Sequence, residues 1–269
     1  MAAHLSTSIG HSTPDRIEVK GLDLANALMG EVDFGSVFFL LAAGRLPAMG
    51  EARLFNAILV ALADHGLTPS ALAARLTYLG APDAVQGAIA AGLLGAGSTF
   101  LGVFENVGRL LRAAMPASTT SEAELDAIAV RLVAKHEELG TRLPGLGHPV
   151  HHGGDPRTLR LIEIAEEEGL LGPHIRLMLR VQAHAAAGAT RPLPLNAGGA
   201  SGALLCDLGI ATPGLRGVAL VSRAAGLVGH VLEEASAPIG RWLWDTAENS
   251  VTYVTPRSSD PADKSVPEN

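Results

Sequence analysis

The sequence predicts an almost entirely α-helical protein. Apolar residues recur at helical spacing in several segments, and residues typical of helix caps stand just before two of them. Segments that alternate like strands are short and few. Only 4% of the 269 residues are aromatic while 48% are hydrophobic, so we expect a core built from Ala, Leu, Val and Ile. The length suits one domain, or a large lobe with a small cap.

In chain order, residues 16–20 alternate apolar and charged and predict a short strand, as do residues 250–255 near the end. Residues 84–104 carry no charge, but they contain five glycines and lack flanking aromatic anchors. Arg109 and Arg112 follow on the same predicted helix. We therefore expect a buried helix with a glycine-rich turn there and not a membrane span.

Helix caps fix the next elements. Ser121 and Glu124 form a capping-box pattern, which predicts a helix that continues to residue 140. Asp155 and Pro156 are typical of an N-cap and a first helical turn, and this helix should close at residue 169. Two further predicted helices span 173–188 and about 215–234. Residues 256–269 are polar and proline-bearing, so we expect a disordered tail.

Charge and cysteine content exclude several classes of function. The net charge is −7, from 20 basic and 27 acidic residues, so no basic field is available for nucleic acid. An anionic ligand would need local arginines. The single Cys206 forbids an internal disulfide and gives no thiolate cluster for metal, which favours a reducing, cytoplasmic compartment. Residues 1–14 lack an apolar stretch of signal-peptide length, so neither secretion nor membrane insertion is indicated.

The first candidate site is the loop 144–157, PGLGHPVHHGGDPR. Its glycines let backbone approach a ligand, and the helix that follows presents free N–H groups to an anion. Together with His148 and Arg157, these groups suit a phosphorylated or carboxylated ligand. A glycine-rich connector with solvent-facing histidines remains the alternative.

A metal site in this loop is not expected. His148, His151 and His152 have only Asp155 as a nearby carboxylate and match no zinc spacing. They would need further ligands from elsewhere in the chain.

Two isolated polar positions are also candidates. The step Asp64-His65-Gly66 follows an apolar run and predicts an imidazole at a helix end, with a cap or core histidine as the alternative. Arg223 is a charge inside an apolar helix and needs an anion, either a protein or a substrate carboxylate. The sequence contains no Gly-x-Ser-x-Gly elbow and no Walker loop. The glycines at 92, 95 and 97 indicate close helix packing and not a phosphate cradle.

The order of these motifs resembles that of the citrate synthase superfamily. The matching segments are ADHG at 63–66, GLL at 92–94, FLG at 100–102, GLGH at 145–148, DPR at 155–157, LN at 195–196, SRAAGLVGH at 222–230, and 244–254. More narrowly, they resemble the citryl-CoA lyase module of ATP-citrate lyase and its stand-alone bacterial relatives. The resemblance runs from about residue 6 to about residue 254.

The resemblance implies an all-α, citrate synthase-like domain over residues 1–255. A large helical lobe and a small helical lobe, about 145–215, would close over coenzyme A. It also implies a homodimer, an acyl-CoA and a small carboxylate as ligands, and no permanently bound cofactor.

Residue roles follow from the same resemblance. His148 would be catalytic, His65 would be catalytic and contact the substrate carboxylate, and Arg223 would bind that carboxylate. Phe100 stands where the synthases have a histidine and the lyases a phenylalanine, which favours the lyase branch. The coenzyme A side of the site would be formed by Gly145, Leu146, Gly147 and Arg157.

The sequence departs from the family at two positions. Gly198 replaces the Asp that handles the proton at the acetyl α-carbon, and loss of a positioned acid costs roughly 10² to 10⁴-fold in rate. Asp64 and Glu105 are the nearest carboxylates by pattern. Pro149 replaces an arginine that follows the catalytic histidine, which removes one carboxylate contact.

The leading hypothesis is an acyl-CoA carbon–carbon lyase of the citryl-CoA lyase type. A β-hydroxyacyl-CoA such as citryl-CoA would yield acetyl-CoA and an oxo acid such as oxaloacetate, with His148 as acid or base. Two alternatives stay open: a decarboxylase or condensing enzyme acting on another acyl-CoA, and a non-catalytic acyl-CoA-binding relative.

Overall fold

Ten α-helices follow a small N-terminal sheet in the part of the chain that the structure, a computed structural model, describes: residues 5–116, 121–148, 151 and 153–255. The elements are β1 Gly10–Ser12, β2 Ile17–Val19, β3 Leu22–Asp23, a π-helical turn Leu24–Leu28, α1 Phe34–Ala43, α2 Met49–Ala63, α3 Pro69–Gly80, α4 Val85–Ala114, α5 Glu122–Glu138, α6 Pro156–Glu167, α7 Pro173–Ala187, α8 Ala197–Asp207, α9 Thr212–Ser236 and α10 Gly240–Ser250. The predicted all-α class is confirmed.

The capping signals place their helices correctly. Ser121 accepts a hydrogen bond from the Glu124 backbone N–H at the start of α5, and Asp155 accepts one from the Arg157 N–H at the start of α6. The predicted helices at 173–188 and 215–234 are α7 and α9. Each of these four helices begins and ends within three residues of its predicted boundaries.

One of the two predicted strands is confirmed. Residues 16–20 contain β2, which pairs antiparallel with β1 and β3. The prediction for 250–255 is wrong, because Ser250 ends α10 and residues 251–255 form no strand. A strand needs a partner, and the only sheet among the described residues is at the N-terminus.

The glycine-rich segment forms the bent helix α4. Gly97 has φ +48° and ψ −166°, so the helix kinks there. A Cβ on Gly92 would lie 2.8 Å from the Leu227 methyl groups of α9, which confirms the predicted close packing. By length and composition, α4 and α9 are each apolar enough to cross a membrane, as core helices often are. Both pack against other helices of the fold, and the absence of a membrane span stays a prediction.

Helix α8 is buried in the centre of the fold and supports the site. Nine of its eleven residues are buried, and it packs against α4, α6 and α7. Its small side chains permit this closeness, since a Cβ on Gly202 would lie 3.1 Å from the Phe104 carbonyl oxygen. The small lobe predicted at 145–215 includes α8 and stays a prediction. Pro149, His152 and the tail 256–269 lie outside the described residues.

Candidate active site

Two neighbouring cavities share His148 in their walls. The first has a volume of about 500 Å³ and the second about 820 Å³. Six of the individual residues singled out from the sequence line the first: His65, Phe100, His148, Arg157, Gly198 and Arg223. Leu146 and Gly147 line the second, together with His148. The structure therefore brings the predicted site residues to one place, although His148 and Arg223 follow His65 by 83 and 158 positions along the chain.

The His148 loop is held against the start of α8. Gly145 and Gly147 have φ of +84° and +80°, a conformation that favours glycine. Asn196 donates from its backbone N–H to the Gly145 oxygen at 3.0 Å and from its side-chain amide to the Gly147 oxygen at 2.8 Å. These contacts fix the backbone just before His148. A Cβ on Gly145 would lie 2.7 Å from the Cα atom of Gly199, so Gly145 packs directly against the first turn of α8 and supports the loop there.

Replacing Gly199 by alanine is expected to destabilise the protein by about 1–3 kcal/mol. The new Cβ would lie 2.7 Å from the Gly145 oxygen, so the His148 loop or α8 must shift. Chemical denaturation measures the loss. Gly229→Ala is the matched control: Gly229 lies in α9 with nothing within 4 Å of an added Cβ, and alanine there should be neutral or stabilising. Equal stability of the two variants would contradict this packing argument.

The hydrogen bonds of His148 define its ring tautomer. Its Nδ1 accepts from the His151 backbone N–H at 3.0 Å, so the proton of the neutral ring is on Nε2. Burial lowers the pKa of His148, and the neighbouring charge of His151 lowers it further. At neutral pH His148 is therefore an uncharged ring with a donor at Nε2.

His65 lies at the end of α2, as predicted. The helix ends at Ala63, Asp64 is its C-cap, and Gly66 has φ +72°. The ring centroids of His65 and His148 are 5.6 Å apart. Burial lowers the pKa of His65, and the charges of Arg157 and Arg223 add to this. His65 is thus also neutral at pH 7.

The two arginines of the first cavity differ in how their charge is balanced. Arg157 donates from Nε and Nη2 to Asp155 at 3.0 and 2.8 Å. Burial alone would raise the pKa of Asp155, but these Arg157 hydrogen bonds outweigh it and lower the pKa to about 2. Asp155 also accepts from the Ala197 N–H at 3.1 Å, so it joins the loop to α8. Arg157 is thereby neutralised within the protein.

Arg223 has no such partner. It is 9% exposed, and its Nη1 makes no hydrogen bond to the residues that the structure describes. The nearest carboxylate oxygen, Oδ1 of Asp64, is 4.0 Å away. Burial accordingly lowers the pKa of Arg223, although its guanidinium stays charged at neutral pH. The anion that the sequence required for Arg223 is therefore best supplied by a ligand in the cavity.

A buried network that the sequence analysis missed fixes Asp64. Arg75 on α3 is 1% exposed, pairs with Glu233 and Glu234, and donates to His230 Nδ1 at 3.0–3.2 Å. Arginine only donates, so His230 carries its proton on Nε2 and donates it to Asp64 at 2.9 Å. The sequence contained a signal for this network, because Arg75, like Arg223, is a charged residue on an otherwise apolar helix face and therefore needs an anionic partner.

Asp64 and Glu105, the two carboxylates considered for the acid role that the resemblance assigns to position 198, are both engaged by other residues. Asp64 accepts from His230 and from the Gly66 N–H at 2.9 Å. Glu105 pairs with Arg216 at 2.8 Å and with Arg109 at 3.3 Å. Neither is among the described lining residues of the two cavities. Gly198 itself lines the first cavity, where a Cβ would lie 2.6 Å from Cγ1 of Val103.

The second cavity contains two cations that the sequence analysis also missed, Arg142 and Arg191. In the sequence they are indistinguishable from ordinary surface arginines near loops. Arg157, which was assigned to coenzyme A, lines the first cavity and is paired with Asp155. Its position therefore favours a structural role over a contact with coenzyme A.

His65, His148 and His151 also have the spacing of a possible metal site, since their ligand atoms lie within 4.8 Å of one another. The third ligand that the loop alone lacked is His65. No carboxylate belongs to this cluster, and the arginine charges that lower the pKa of His65 would also repel a cation. The absence of a metal stays our prediction. We expect a chelator such as EDTA to leave turnover and thermal stability unchanged; a loss that a divalent metal restores would contradict it.

Residues 28–243 match the family model described as "Citrate synthase, C-terminal domain". The chain belongs to the citrate synthase family. It is 28% identical over 194 residues to Citrate synthase 2 of Bacillus subtilis (strain 168), covering 71% of this chain and 49% of that relative. The chain thus spans about half the length of that curated relative.

Solved structures of the family show the same fold. Citryl-CoA lyase from Hydrogenobacter thermophilus superposes with a TM-score of 0.83 at 29% identity, covering 96% of this chain and 97% of the other. ATP citrate lyase from Methanothrix soehngenii, in complex with citrate and coenzyme A, superposes with a TM-score of 0.78 at 21% identity. The match covers 95% of this chain and 42% of the other. The citrate synthase-like helical fold expected from the motifs is confirmed.

Proposed function

We propose that this chain is a coenzyme A-utilising enzyme that cleaves a carbon–carbon bond of a 3-hydroxyacyl-CoA, in the manner of a citryl-CoA lyase. The observation that carries this proposal is the position of His148 in the walls of both cavities. One cavity offers Arg223 to a carboxylate, and the other offers Arg142 and Arg191 to phosphates. A thioester that spans them brings its reacting carbons to His148. The similarity to citryl-CoA lyase supports the same reaction.

The two neutral imidazoles suit a retro-aldol cleavage. His65 accepts the proton of the substrate hydroxyl, and the C2–C3 bond breaks as the C3 carbonyl forms. The electron pair passes into the thioester enolate, and the His65 imidazolium returns the proton to C2. His148 donates from Nε2 to the C3 oxygen and so stabilises the charge that develops on it. No net proton is consumed, which suits a cavity without a carboxylic acid among its described lining residues.

Coenzyme A is the proposed ligand of the second cavity. Leu146 and Gly147 present backbone to the pantetheine chain, while Arg142 and Arg191 face its phosphates. We propose no permanently bound cofactor.

Product analysis tests the proposal. The protein is incubated with 3-hydroxyacyl-CoA thioesters, including citryl-CoA, and mass spectrometry detects acetyl-CoA and the oxo acid. Cleavage above a His148→Ala control supports a lyase. Tight coenzyme A binding with no product from any thioester would instead favour the non-catalytic relative. Carbon dioxide or a longer acyl-CoA as product would favour the decarboxylase or the condensing enzyme.

The pH profile of kcat/KM is expected to be flat through pH 7 and to fall only below about pH 6.5. His65 must be neutral to accept a proton, and its pKa is lowered, so activity is lost only when pH falls through that low value. Arg223→Gln removes one of the charges that lower this pKa, and the acid limb should therefore move to higher pH. A limb that stays in place, or moves to lower pH, would contradict the role of His65.

We further propose a homodimer in the cytoplasm. Large apolar side chains remain exposed on α4, α9 and α10: Leu94, Leu232, Trp242 and Trp244. Exposed apolar groups of this size are typical of a protein interface. Light scattering should give twice the mass of the 27.7 kDa chain.

A further inference from the structure

One face of α9 holds the last turn of α2, the helix end next to His65. Ser222 of α9 donates its hydroxyl hydrogen to the Leu59 carbonyl oxygen. One turn further along α9, a Cβ on Gly226 would collide with the Ala63 carbonyl oxygen, so the two backbones touch there. Residues four apart lie on the same side of a helix. These contacts therefore set both the separation and the register of α2 and α9.

His230 is the next residue on this face of α9, one turn after Gly226. It donates from Nε2 to Oδ1 of Asp64 at 2.9 Å, and Oδ2 of Asp64 accepts from the Gly66 N–H at 2.9 Å. The Asp64 carboxylate thus closes a turn around the His65 backbone. Burial alone would raise the pKa of Asp64, but the hydrogen bonds from Gly66 and His230 lower it. The carboxylate is therefore ionised at neutral pH and acts only as an acceptor.

Arg75 on α3 determines which nitrogen of His230 carries the proton. Its guanidinium donates to Nδ1 at 3.0–3.2 Å and cannot accept, so the ring donates from Nε2 to Asp64. Arg75 is buried and pairs with Glu233 and Glu234, which balance its charge. The hydrogen bonds therefore run in one direction, from Arg75 through His230 to Asp64.

The turn that contains His65 depends on this network more than α2 does. His65 lies beyond Ala63, the last residue of α2, so helical hydrogen bonds no longer fix its backbone. Of the three contacts along α9, only that of His230 reaches beyond the helix end, because Ser222 and Gly226 contact α2 itself.

We propose that His230 is a positioning residue for the carbon–carbon bond cleavage: through Asp64 it holds the turn that carries His65 at the distance from Arg223 that the substrate requires. The inference rests on the proposed function and adds a residue that is not among the described lining residues of either cavity. A displacement of about 1 Å between reacting groups can cost about 10²-fold in rate. The network is made within one chain, so it holds whatever a partner subunit adds to the site.

Two substitutions of His230 separate its hydrogen bonds from its bulk. Leucine makes no hydrogen bond, so His230→Leu should lower kcat for thioester cleavage by about 10 to 100-fold while KM changes much less. Glutamine offers an amide oxygen to Arg75 and an amide N–H to Asp64, and one carbon separates these two polar atoms, as in imidazole. His230→Gln should therefore keep kcat within about 3-fold of the native value. Equal kcat values for the two variants would overturn the inference.

His174→Leu is the matched control. His174 is a half-buried histidine whose Nδ1 lies 2.8 Å from a carboxylate oxygen of Asp207, and it is not among the described lining residues of either cavity. Its replacement removes a similar contact but should leave kcat unchanged. If His174→Leu loses as much kcat as His230→Leu, the effect is a general one and the inference fails. Circular dichroism checks that both variants fold.

A double variant tests whether His230 acts through Asp64. In that case Asp64→Ala combined with His230→Leu should lose no more kcat than Asp64→Ala alone. Losses that multiply would mean that His230 acts by another route, and they would contradict the proposal.

NMR titration tests the position of His65 without turnover. Burial and the charges of Arg157 and Arg223 lower the pKa of His65, so a displaced His65 should titrate closer to the ordinary value of about 6.5. With the full chain carrying ring-labelled histidine, we expect this rise in His230→Leu but not in His230→Gln or His174→Leu. The spectrum of His65→Gln assigns the resonance.

The titration also separates the two levels of the proposal. An unchanged His65 titration in His230→Leu would refute the positioning role, even if the native chain cleaves thioesters. If no thioester is cleaved, the proposed function fails, while the titration still decides whether His230 holds His65 in place.

Discussion

Replacing His148 by alanine is expected to lower kcat for thioester cleavage by about 10² to 10³-fold. In the neutral ring Nδ1 accepts from the His151 backbone N–H, so the proton is on Nε2, and we propose that Nε2 donates it to the C3 oxygen as charge develops there. Alanine removes that donor. It leaves Arg223 in place, so we expect KM to change much less than kcat. Steady-state kinetics with the best thioester of the panel measures both constants.

The variant His148→Gln tests whether His148 acts as a hydrogen-bond donor or as a base that accepts a proton. The glutamine amide keeps an N–H near the position of Nε2 but cannot accept a proton. If His148 acts as a donor, as its tautomer indicates, His148→Gln should retain roughly 10-fold more activity than His148→Ala. If the two variants are equally inactive, the donor role is wrong and His148 is the base. Unchanged thermal stability of both variants excludes a folding defect.

Local signals in the sequence placed those helices whose ends carry their own hydrogen-bonding residues. The Ser121 capping box and the Asp155 N-cap are examples, since each pairs with groups within three residues. Helix α8 escaped prediction. Its sequence, AGGASGALLCD, has poor helical propensity and no amphipathic pattern, because it is buried on nearly all sides. Only the tertiary fold, with Asn196 as its cap, makes this segment helical.

The site was predictable through the order of its motifs, and its electrostatics were not. Sequence order gave His65, His148 and Arg223, and the structure places all three in one cavity wall. The charge of Arg157 is balanced by a residue two positions away, which spacing alone does not reveal. Arg223 Nη1 lies 4.0 Å from Asp64, and Asp64 is held by a hydrogen bond to His230, 166 residues further along the chain. Such assignments depend on contacts between distant helices.

Introducing an acid at position 198 is expected to raise turnover, provided that space is made for it. In the structure Gly198 is not a vacant position, because a Cβ there would lie 2.6 Å from Val103 Cγ1. Val103 on α4 thus occupies part of the volume that an aspartate would need. We expect Gly198→Asp alone to lose stability, and Gly198→Asp combined with Val103→Ala to fold.

The double variant should raise kcat for thioester cleavage by about 10²-fold. Its carboxyl group lies in the wall shared with His148 and can return the proton to C2, so that His65 no longer has to serve both the hydroxyl and the α-carbon. Val103→Ala alone should not raise kcat. Gly198→Ala with Val103→Ala is the matched control, since it restores the volume without the acid.

These variants distinguish a site whose turnover is limited by the lack of an acid at position 198 from a site in which His65 alone suffices. A double variant no faster than its alanine counterpart would mean that proton return to C2 does not limit the native enzyme and that His65 suffices. The solvent isotope effect then provides a second measurement. It should fall in the aspartate variant if proton return is rate-limiting in the native chain, because the added carboxyl shortens that step. Since the described lining of the first cavity contains no carboxylate of its own, any new carboxyl titration in the pH profile of kcat can be assigned to Asp at position 198.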